Sequence, residues 1–394
     1  MVDLKKMKSN SSVKILIHHH GLAYFDGETI WVQSFLGRWI LALSEEFSYI
    51  GLLFTTVDSR LDILDTPLKK SNIKLESFGI AINKRMTTST RELKQKVQKI
   101  SVNYDALLIR GITPRQNLVF KNAQCKEKCF LLVGSIKANK PKFRFNILSL
   151  FLIYRHNTHI RSLKKIAKKA QVFANSPEIV KELMSVLNIS SIYIPTNTIS
   201  FNEILPYHSF IVKNEINWVF CGRIVQDKGV EELIDALYLY NQKGHKGNLT
   251  FIGTGSDSYI ALLKNKIIDF GLNYQVNFVG FKSFGKDLFN AYSDCDIFIL
   301  PSWHEGFPHT IWEAAACSLP IIVTSVGGIP GVVNSEQVTF VEVRNPEAIC
   351  DTCIDILSKP KEVNRKTKNL YDLGLTYTVE ECAKRLKEVI IKTK

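Results

Sequence analysis

The chain has 394 residues, 45% of them hydrophobic, with 21 Gly, 12 Pro, 8 Cys and a formal net charge of +14. That length predicts two or three domains with real cores, and the composition excludes disordered, collagen-like and low-complexity classes. The start, MVDLKKMKSNSS, lacks the apolar stretch of a secretory signal, and the apolar run at 146–154 is too short to span a bilayer. Eight scattered cysteines make no disulfide scaffold. The expectation is a reduced, cytoplasmic, globular protein.

In chain order, strand-like apolar runs alternate with helix-like segments. A strand over 13–18 precedes a helix over 29–43, and strands over 49–57, 106–110, 130–134 and 172–175 continue the series. Between Glu127 and Glu178 there is no acidic residue, while Lys137, Lys140, Lys142, Arg144, Arg155, Arg161, Lys164, Lys165, Lys168 and Lys169 accumulate beside an apolar block. Residues 1–210 hold 31 Lys+Arg against 15 Asp+Glu, so the whole positive balance belongs to this half. Such a face suits an anionic membrane surface or a phosphorylated small molecule. A core helix followed by a solvated basic helix accounts for it equally well. No nucleic-acid partner is expected, because no finger or RNP signature accompanies the charge.

After a polar stretch near 197–214 the alternation restarts. Strands over 218–221, 249–253, 276–279, 297–301 and 320–324 interleave with helices over 230–240, 259–270, 287–293, 310–317 and 346–357. Two such series predict two doubly wound parallel sheets, which bind ligands beyond the carboxyl ends of their strands.

Several strand exits carry chemistry. In the run CGRIVQDKG, Gly222 allows a tight turn, and Arg223 and Lys228 project beyond the strand end. An arginine fork and a lysine point charge together suit a diphosphate. Gly253 and Gly255 follow the next strand; Phe281 and Lys282 follow Gly280, where exposed backbone can read the edge of a flat base. In LPSWHEGFPHTIWEAA (300–315) a loop leads into a helix near Thr310, whose first amides favour an anion. Glu305 in the loop and Glu313 on the first turn are strong acceptors for vicinal hydroxyls. Their ordinary readings are a loop surface charge and a solvent-facing helix residue. VGGIPG at 326–331 supplies one more glycine-rich exit.

In this order and spacing, Gly-Arg…Lys-Gly, Gly-x-Gly, Pro-Ser-x-x-Glu-Gly-Phe…Glu and Val-Gly-Gly-Ile-Pro resemble the retaining family-4 nucleotide-sugar glycosyltransferases. Glu305 and Glu313 stand eight positions apart, as in that family's Glu-x7-Glu motif, and the resemblance covers about 217–357. It implies an α/β, GT-B architecture of two Rossmann-like doubly wound parallel-sheet domains facing a central cleft. The expected divisions are an acceptor domain over 1–205, a nucleotide-sugar donor domain over 206–378, and a helix over 379–394 packing back on the first domain. It implies catalytic roles for Arg223 and Lys228, holding the donor diphosphate as it leaves, and for Glu305, gripping the sugar with the backbone of Gly306, Phe307, Pro308 and His309. The amides of Thr310 and Ile311 would meet the distal phosphate, Glu313 the ribose, and Phe281 and Lys282 the base, with Gly222, Gly253 and Gly255 completing the donor pocket.

In the first half, Gly21, Asp26 and Gly27 stand where the family has a glycine-rich loop, and Arg110, His156 and His159 are candidates for a further sugar contact. The implied activity is retaining, metal-independent transfer from a nucleotide diphosphate sugar, UDP foremost, to a glycan or lipid-linked acceptor. The implied setting is bacterial surface polysaccharide or glycolipid synthesis, by a protein peripheral to the inner face of the cell membrane, with no cofactor. An epimerase or hydrolase of the same fold, and a non-catalytic sugar-nucleotide-binding subunit, are the alternatives.

Three lookalikes carry less. His18, His19 and His20 adjoin in an extended segment, where neighbours point to opposite faces and do not ligate jointly. Asp294-Cys-Asp296 immediately precedes a buried strand and reads as a loop end. Cys350-x-x-Cys353 lies in a helix with no second pair. No metal site is expected.

Overall fold

The computed structural model describes residues 12–82, 85–86, 88–113, 115–134, 136 and 147–391. The chain divides into two compact units: residues up to Thr198 together with Val379 onward, and Ile199–Thr378. The divide lies several residues before the expected 205/206. Ile199 is buried in the core of the second unit and Leu205 packs against that core, which assigns the intervening segment to the second unit.

The first unit is built on β1 (Lys14–Phe25), β2 (Ile30–Val32), β3 (Tyr49–Val57), β4 (Thr66–Leu68), β5 (Ile73–Leu75), β6 (Gly79–Ile82), β7 (Arg85–Met86), β8 (Ala106–Arg110), β9 (Glu127–Leu132), β10 (Gln171–Ala174) and β11 (Ile192–Tyr193). Their main order is β11-β10-β9-β8-β1-β3-β6-β7, and the run from β10 to β6 is parallel. Chain order reverses at the β1/β8 boundary, which makes that boundary the topological switch point. The strands of this run are apolar on both faces, as a sheet covered by helices on both sides requires. Ile15 and Ile17 face α1 (Ser34–Glu46), while Leu16 and Leu107 face α2 (Thr90–Ser101), α3 (Gln116–Asn122), α4 (Ile147–Ala167) and α5 (Pro177–Glu182). The start of α2 is written locally: Ser89 and Glu92 form a reciprocal capping box.

The second unit comprises β12 (Glu215–Cys221), α6 (Val230–Gln242), β13 (Lys246–Ile252), α7 (Asp257–Asp269), β14 (Val276–Gly280), α8 (Lys286–Ser293), β15 (Ile297–Leu300), α9 (Thr310–Ala316), β16 (Ile321–Thr324), β17 (Thr339–Val341), α10 (Pro346–Ser358) and α11 (Pro360–Leu375). Strand and helix alternate from β12 to β16; β17 follows, and the unit ends in two successive helices. Its sheet is parallel in the order β14-β13-β12-β15-β16-β17. Here the switch point lies between β12 and β15. Finally α12 (Val379–Ile391) returns to the first unit, where Val379, Ala383, Leu386 and Ile390 join Trp39, Ile40 and Leu43 of α1 in one core.

The expected glycine-rich loop after the first strand is not there. β1 runs on through Gly21 to Phe25, with an irregularity between His18 and Leu22, and turns back into β2. Asp26 closes this hairpin: Oδ1 accepts from the amides of Glu28 (3.0 Å) and Thr29 (2.6 Å), and Oδ2 from Trp31 Nε1 (2.9 Å). Those bonds, Trp31 foremost, hold its carboxyl down at about 2. Asp26 and Gly27 are therefore residues of the β1–β2 turn. The expected helix over 29–43 likewise begins only at Ser34, because 30–32 pair as β2.

Candidate functional site

The exits of β12 and β15 flank the switch point of the second sheet; Gly222, Arg223, Lys228, Glu305 and Glu313 follow these two strands, while Gly253, Gly255, Phe281 and Lys282 follow β13 and β14. The loops are tied side to side by backbone bonds: Gly222 N donates to Ile252 O (2.9 Å), Ile224 N to Thr254 O (2.8 Å) and Gly253 N to Gly280 O (2.9 Å). A Cβ on Gly253 would fall 1.9 Å from Gly222 O, so only glycine permits this lateral stitching. Gly255 lies against Ile224 in the same way.

The loop after β15 is fastened to the loop after β12. Trp303 N donates to Asp227 O (2.9 Å), and Trp303 Nε1 donates to Glu232 (2.8 Å). The Arg344 guanidinium covers the Trp303 ring at 3.9 Å. Ser302, fully buried, offers its carbonyl to Thr324 Oγ1 (2.6 Å) and donates Oγ to Glu305 Oε1 (2.8 Å). Lys228 Nζ reaches the same Oε1 at 2.5 Å, with both side chains mostly buried. Glu305 is thus no loose loop charge. Its Oε1 is doubly bonded, and Oε2 takes no hydrogen bond among the described residues. Arg223 is exposed on the β12 exit and makes no ion pair among the described residues.

Glu313 departs from its ordinary reading. It lies on the first turn of α9, is 7% exposed, and its Oε2 accepts from Tyr292 Oη at 2.8 Å. Cys221, half-buried at the end of β12, lies beside Tyr292 and Glu313. Burial, and then the Glu313 charge, push the Cys221 thiol up to about 12 and hold the Tyr292 hydroxyl well above its usual range. A carboxylate on a first helical turn is compatible with the positive end of the helix.

Of the remaining expected residues, Gly306, Phe307, Pro308 and His309 form the approach to α9. The Ile311 amide donates to Pro308 O (3.3 Å), while Thr310 Oγ1 is buried without a hydrogen-bond partner among the described residues. Phe281 stands 70% exposed just beyond β14, with Lys282 half-buried beside it. The sequence alone does not mark Ser302 as a partner of Glu305, Tyr292 as a partner of Glu313, or Trp303 as the tie between loops. Only Ser302 carried a signal, as the Ser of Pro-Ser-x-x-Glu.

In the first unit, Gly21 and Arg110 lie at the β1/β8 switch point; Gly21 N donates to His19 Nδ1 at 2.9 Å. His159 is on α4, where its carbonyl accepts from Gln116 Nε2. The lookalikes have structural roles. His18 is buried between Leu53 O (2.9 Å) and Thr113 Oγ1 (3.2 Å). Asp296 pairs with Lys213 (2.5 Å) and accepts from Asn217 N (2.8 Å). Cys350 and Cys353 are buried in α10.

Residues 204–372 match the family described as glycosyl transferases group 1. An uncharacterized glycosyltransferase of Methanocaldococcus jannaschii, MJ1607, is 27% identical over 52% of this chain and 56% of its own. The capsular polysaccharide biosynthesis glycosyltransferase CapM of Staphylococcus aureus is 31% identical over 37% of each chain. The matches therefore span about half the length of these relatives, or less. Among solved structures, a glycosyltransferase from Rickettsia africae superimposes over 97% of this chain and 98% of its own, with a TM-score of 0.71 at 17% identity. Anabaena HepE superimposes over 96% of this chain and 99% of its own, with a TM-score of 0.69 at 16% identity. The fold is GT-B, and residues 204–372, within the second unit, are similar to the group 1 glycosyl transferases.

Proposed function

We propose that the chain is a glycosyltransferase that moves a sugar from a nucleotide diphosphate donor to a glycan or lipid-linked acceptor. The observation that carries this reading is the convergence of Arg223, the Lys228–Glu305 pair and Glu313 on the loops flanking the β12/β15 switch point. Arg223 and Lys228 supply the positive charge a diphosphate needs. Glu305 Oε2 accepts a hydroxyl of the transferred sugar, and the Glu313 carboxylate accepts from the ribose.

In the reaction the bond from the anomeric carbon to the diphosphate breaks and negative charge grows on the leaving phosphate. Lys228, already oriented by Glu305, meets that charge without rearrangement, which is where electrostatic catalysis gains most. The acceptor oxygen bonds the anomeric carbon on the same face and its proton passes to the leaving phosphate, so the configuration is retained. The two cations take the place of a metal, and the reaction is expected to resist EDTA.

UDP is the first nucleotide to test, because the structurally similar HepE was solved with UDP-glucose. Acceptor class follows the relatives. CapM is named for capsular polysaccharide, and a Campylobacter jejuni relative, 25% identical over 48% of this chain and 50% of its own, is named for transfer to a diphospho-undecaprenol. A lipid-linked acceptor fits a peripheral position at the cytoplasmic membrane face. No helix among the described residues is long and apolar enough to cross a membrane. Helix α4 instead exposes Leu150, Phe151 and Tyr154 beside exposed Arg155, Arg161, Lys164 and Lys165, a combination that favours an anionic interface.

The test is a panel of nucleotide sugars scored for thermal stabilisation and nucleotide release. Stabilisation by one UDP-sugar, lost in Arg223→Ala, is the expected result. No response to any sugar nucleotide, UDP or GDP overturns the reading.

A further inference from the structure

The first unit carries a buried arginine with no carboxylate partner among the described residues. Arg110 ends β8 at the switch point beside β1 and is only 6% exposed. Its guanidinium lies 5.1 Å from the Trp39 ring centroid and 5.6 Å from that of Phe35, both on α1. Its Nε has no hydrogen-bond partner among the described residues. No carboxylate among the described residues pairs with it, although a buried charge ordinarily requires a partner.

The polar neighbour that Arg110 does have is the wrong kind. Arg110 Nη1 faces His19 Nε2 at 3.4 Å, while the Gly21 amide donates to His19 Nδ1 at 2.9 Å. A neutral imidazole has one acceptor nitrogen. With Nδ1 taken by Gly21, Nε2 carries the proton, so His19 and Arg110 point two N–H groups toward the same place with no acceptor between them. His19 is itself buried, its ring tilted 4.2 Å from that of His20, and held in its neutral form by that burial and by the neighbouring Arg110 charge, with its pKa lowered to about 2. Helix α1, which supplies the aromatic wall, has no acidic residue in its first turn and no side-chain cap. Open parallel sheets bind ligands outside the strand ends at just such a reversal of strand order.

We propose that the first unit holds an oxyanion, a phosphate or carboxylate group, between Arg110 and the Nε2–H of His19 at the β1/β8 switch point. Arg110 supplies a fork of parallel donors and the charge, and His19 a third donor in a fixed tautomer. The source this chemistry fits is the acceptor's own phosphate or carboxylate. The proposal stands apart from the donor reading, since it concerns residues of the first unit alone and is tested with ions that carry no sugar or nucleotide.

The full chain is titrated with inorganic phosphate and with acetate by calorimetry, with Trp39 fluorescence as a second signal. At least one of the two ions is expected to bind, with a tenfold or greater loss of affinity in Arg110→Gln and an intermediate loss in Arg110→Lys. If UDP displaces the ion and Arg110→Gln weakens UDP equally, the ion reports the donor and the proposal is overturned. If UDP and the ion bind together and Arg110→Gln spares UDP, the acceptor is the source. Should Arg110→Gln fail to fold, nitrogen NMR of the wild-type histidines decides, because the bound ion must shift the His19 Nε2–H resonance. Absence of binding by both ions, equal binding in wild type and Arg110→Gln, or an unmoved His19 resonance overturns the proposal.

Discussion

Lys228 Nζ and Glu305 Oε1 meet at 2.5 Å although 77 positions separate them in the chain. The contact joins the loops on either side of the switch point in the second sheet and leaves both side chains mostly buried. Removing one partner strands the other charge, so Glu305→Gln and Lys228→Met are each expected to cost roughly 1–3 kcal/mol of stability, below the range for a fully buried pair. The double variant is expected to cost less than the sum, and urea unfolding of the four proteins measures the coupling. Additive losses would show that the pair does not act as a unit.

Gly327 backs the same loop. Its φ is +57° and a Cβ there would fall 1.7 Å from Glu305 O. Gly327→Ala is therefore expected to cost at least about 2 kcal/mol and to displace Glu305. A thermal unfolding midpoint equal to that of the wild type would refute this.

Tyr292 orients Glu313 from beneath. Tyr292→Phe removes the donor at 2.8 Å and leaves a buried carboxylate oxygen with one bond fewer. The expected cost is about 1–3 kcal/mol of stability, with a several-fold loss of UDP affinity. If Glu313 reads the ribose, Glu313→Gln narrows the preference for UDP over its 2′,3′-dideoxy analogue. An unchanged preference removes Glu313 from that role.

The pH dependence has two limbs. His18 and His19 are lowered by burial from an ordinary 6.5 to about 4 and about 2. Their unfolded forms take up protons first, so stability is full above 6.5 and falls as pH drops toward 4, by up to about 1.4 kcal/mol per unit for each group. Cys125, Cys129, Cys221, Cys295, Cys317 and Cys382 are pushed by burial from 9 up to about 12. Their unfolded thiols ionise first, so stability falls again as pH rises above 9. Urea midpoints across the pH range check both limbs, and His18→Gln is expected to flatten the acid one.

Membrane association through α4 predicts that vesicles containing anionic lipid sediment the protein and that high salt releases part of it. Leu150→Ser/Phe151→Ser/Tyr154→Ser changes exposed side chains and is expected to abolish sedimentation without loss of stability. Equal sedimentation with neutral and anionic vesicles would exclude an electrostatic component.

The alternation of strand and helix was legible locally, because hydrophobic period and turn residues are properties of adjacent positions. β3 and β8 span the residues their apolar runs mark, and α9 starts at Thr310 as its loop composition indicates. The motif loops at the β12, β13 and β15 exits were legible for the same reason. Elsewhere local signals pointed wrongly or were silent. Asp26 and Gly27 looked like part of a ligand loop, and only the pairing of β1 with β2 makes them a turn. Glu313 is marked as an acceptor by its motif, but its burial and its bond to Tyr292, 21 positions away, are not written locally. The meeting of Lys228 with Glu305, and of Arg110 with His19 across 91 positions, depends on strand order. The sequence by itself determined which elements form and which residues stand at their ends. Tertiary structure alone decided which of those residues face one another and whether their charges and donors are matched, because a group's partner and its loss of water are set by segments distant in the chain.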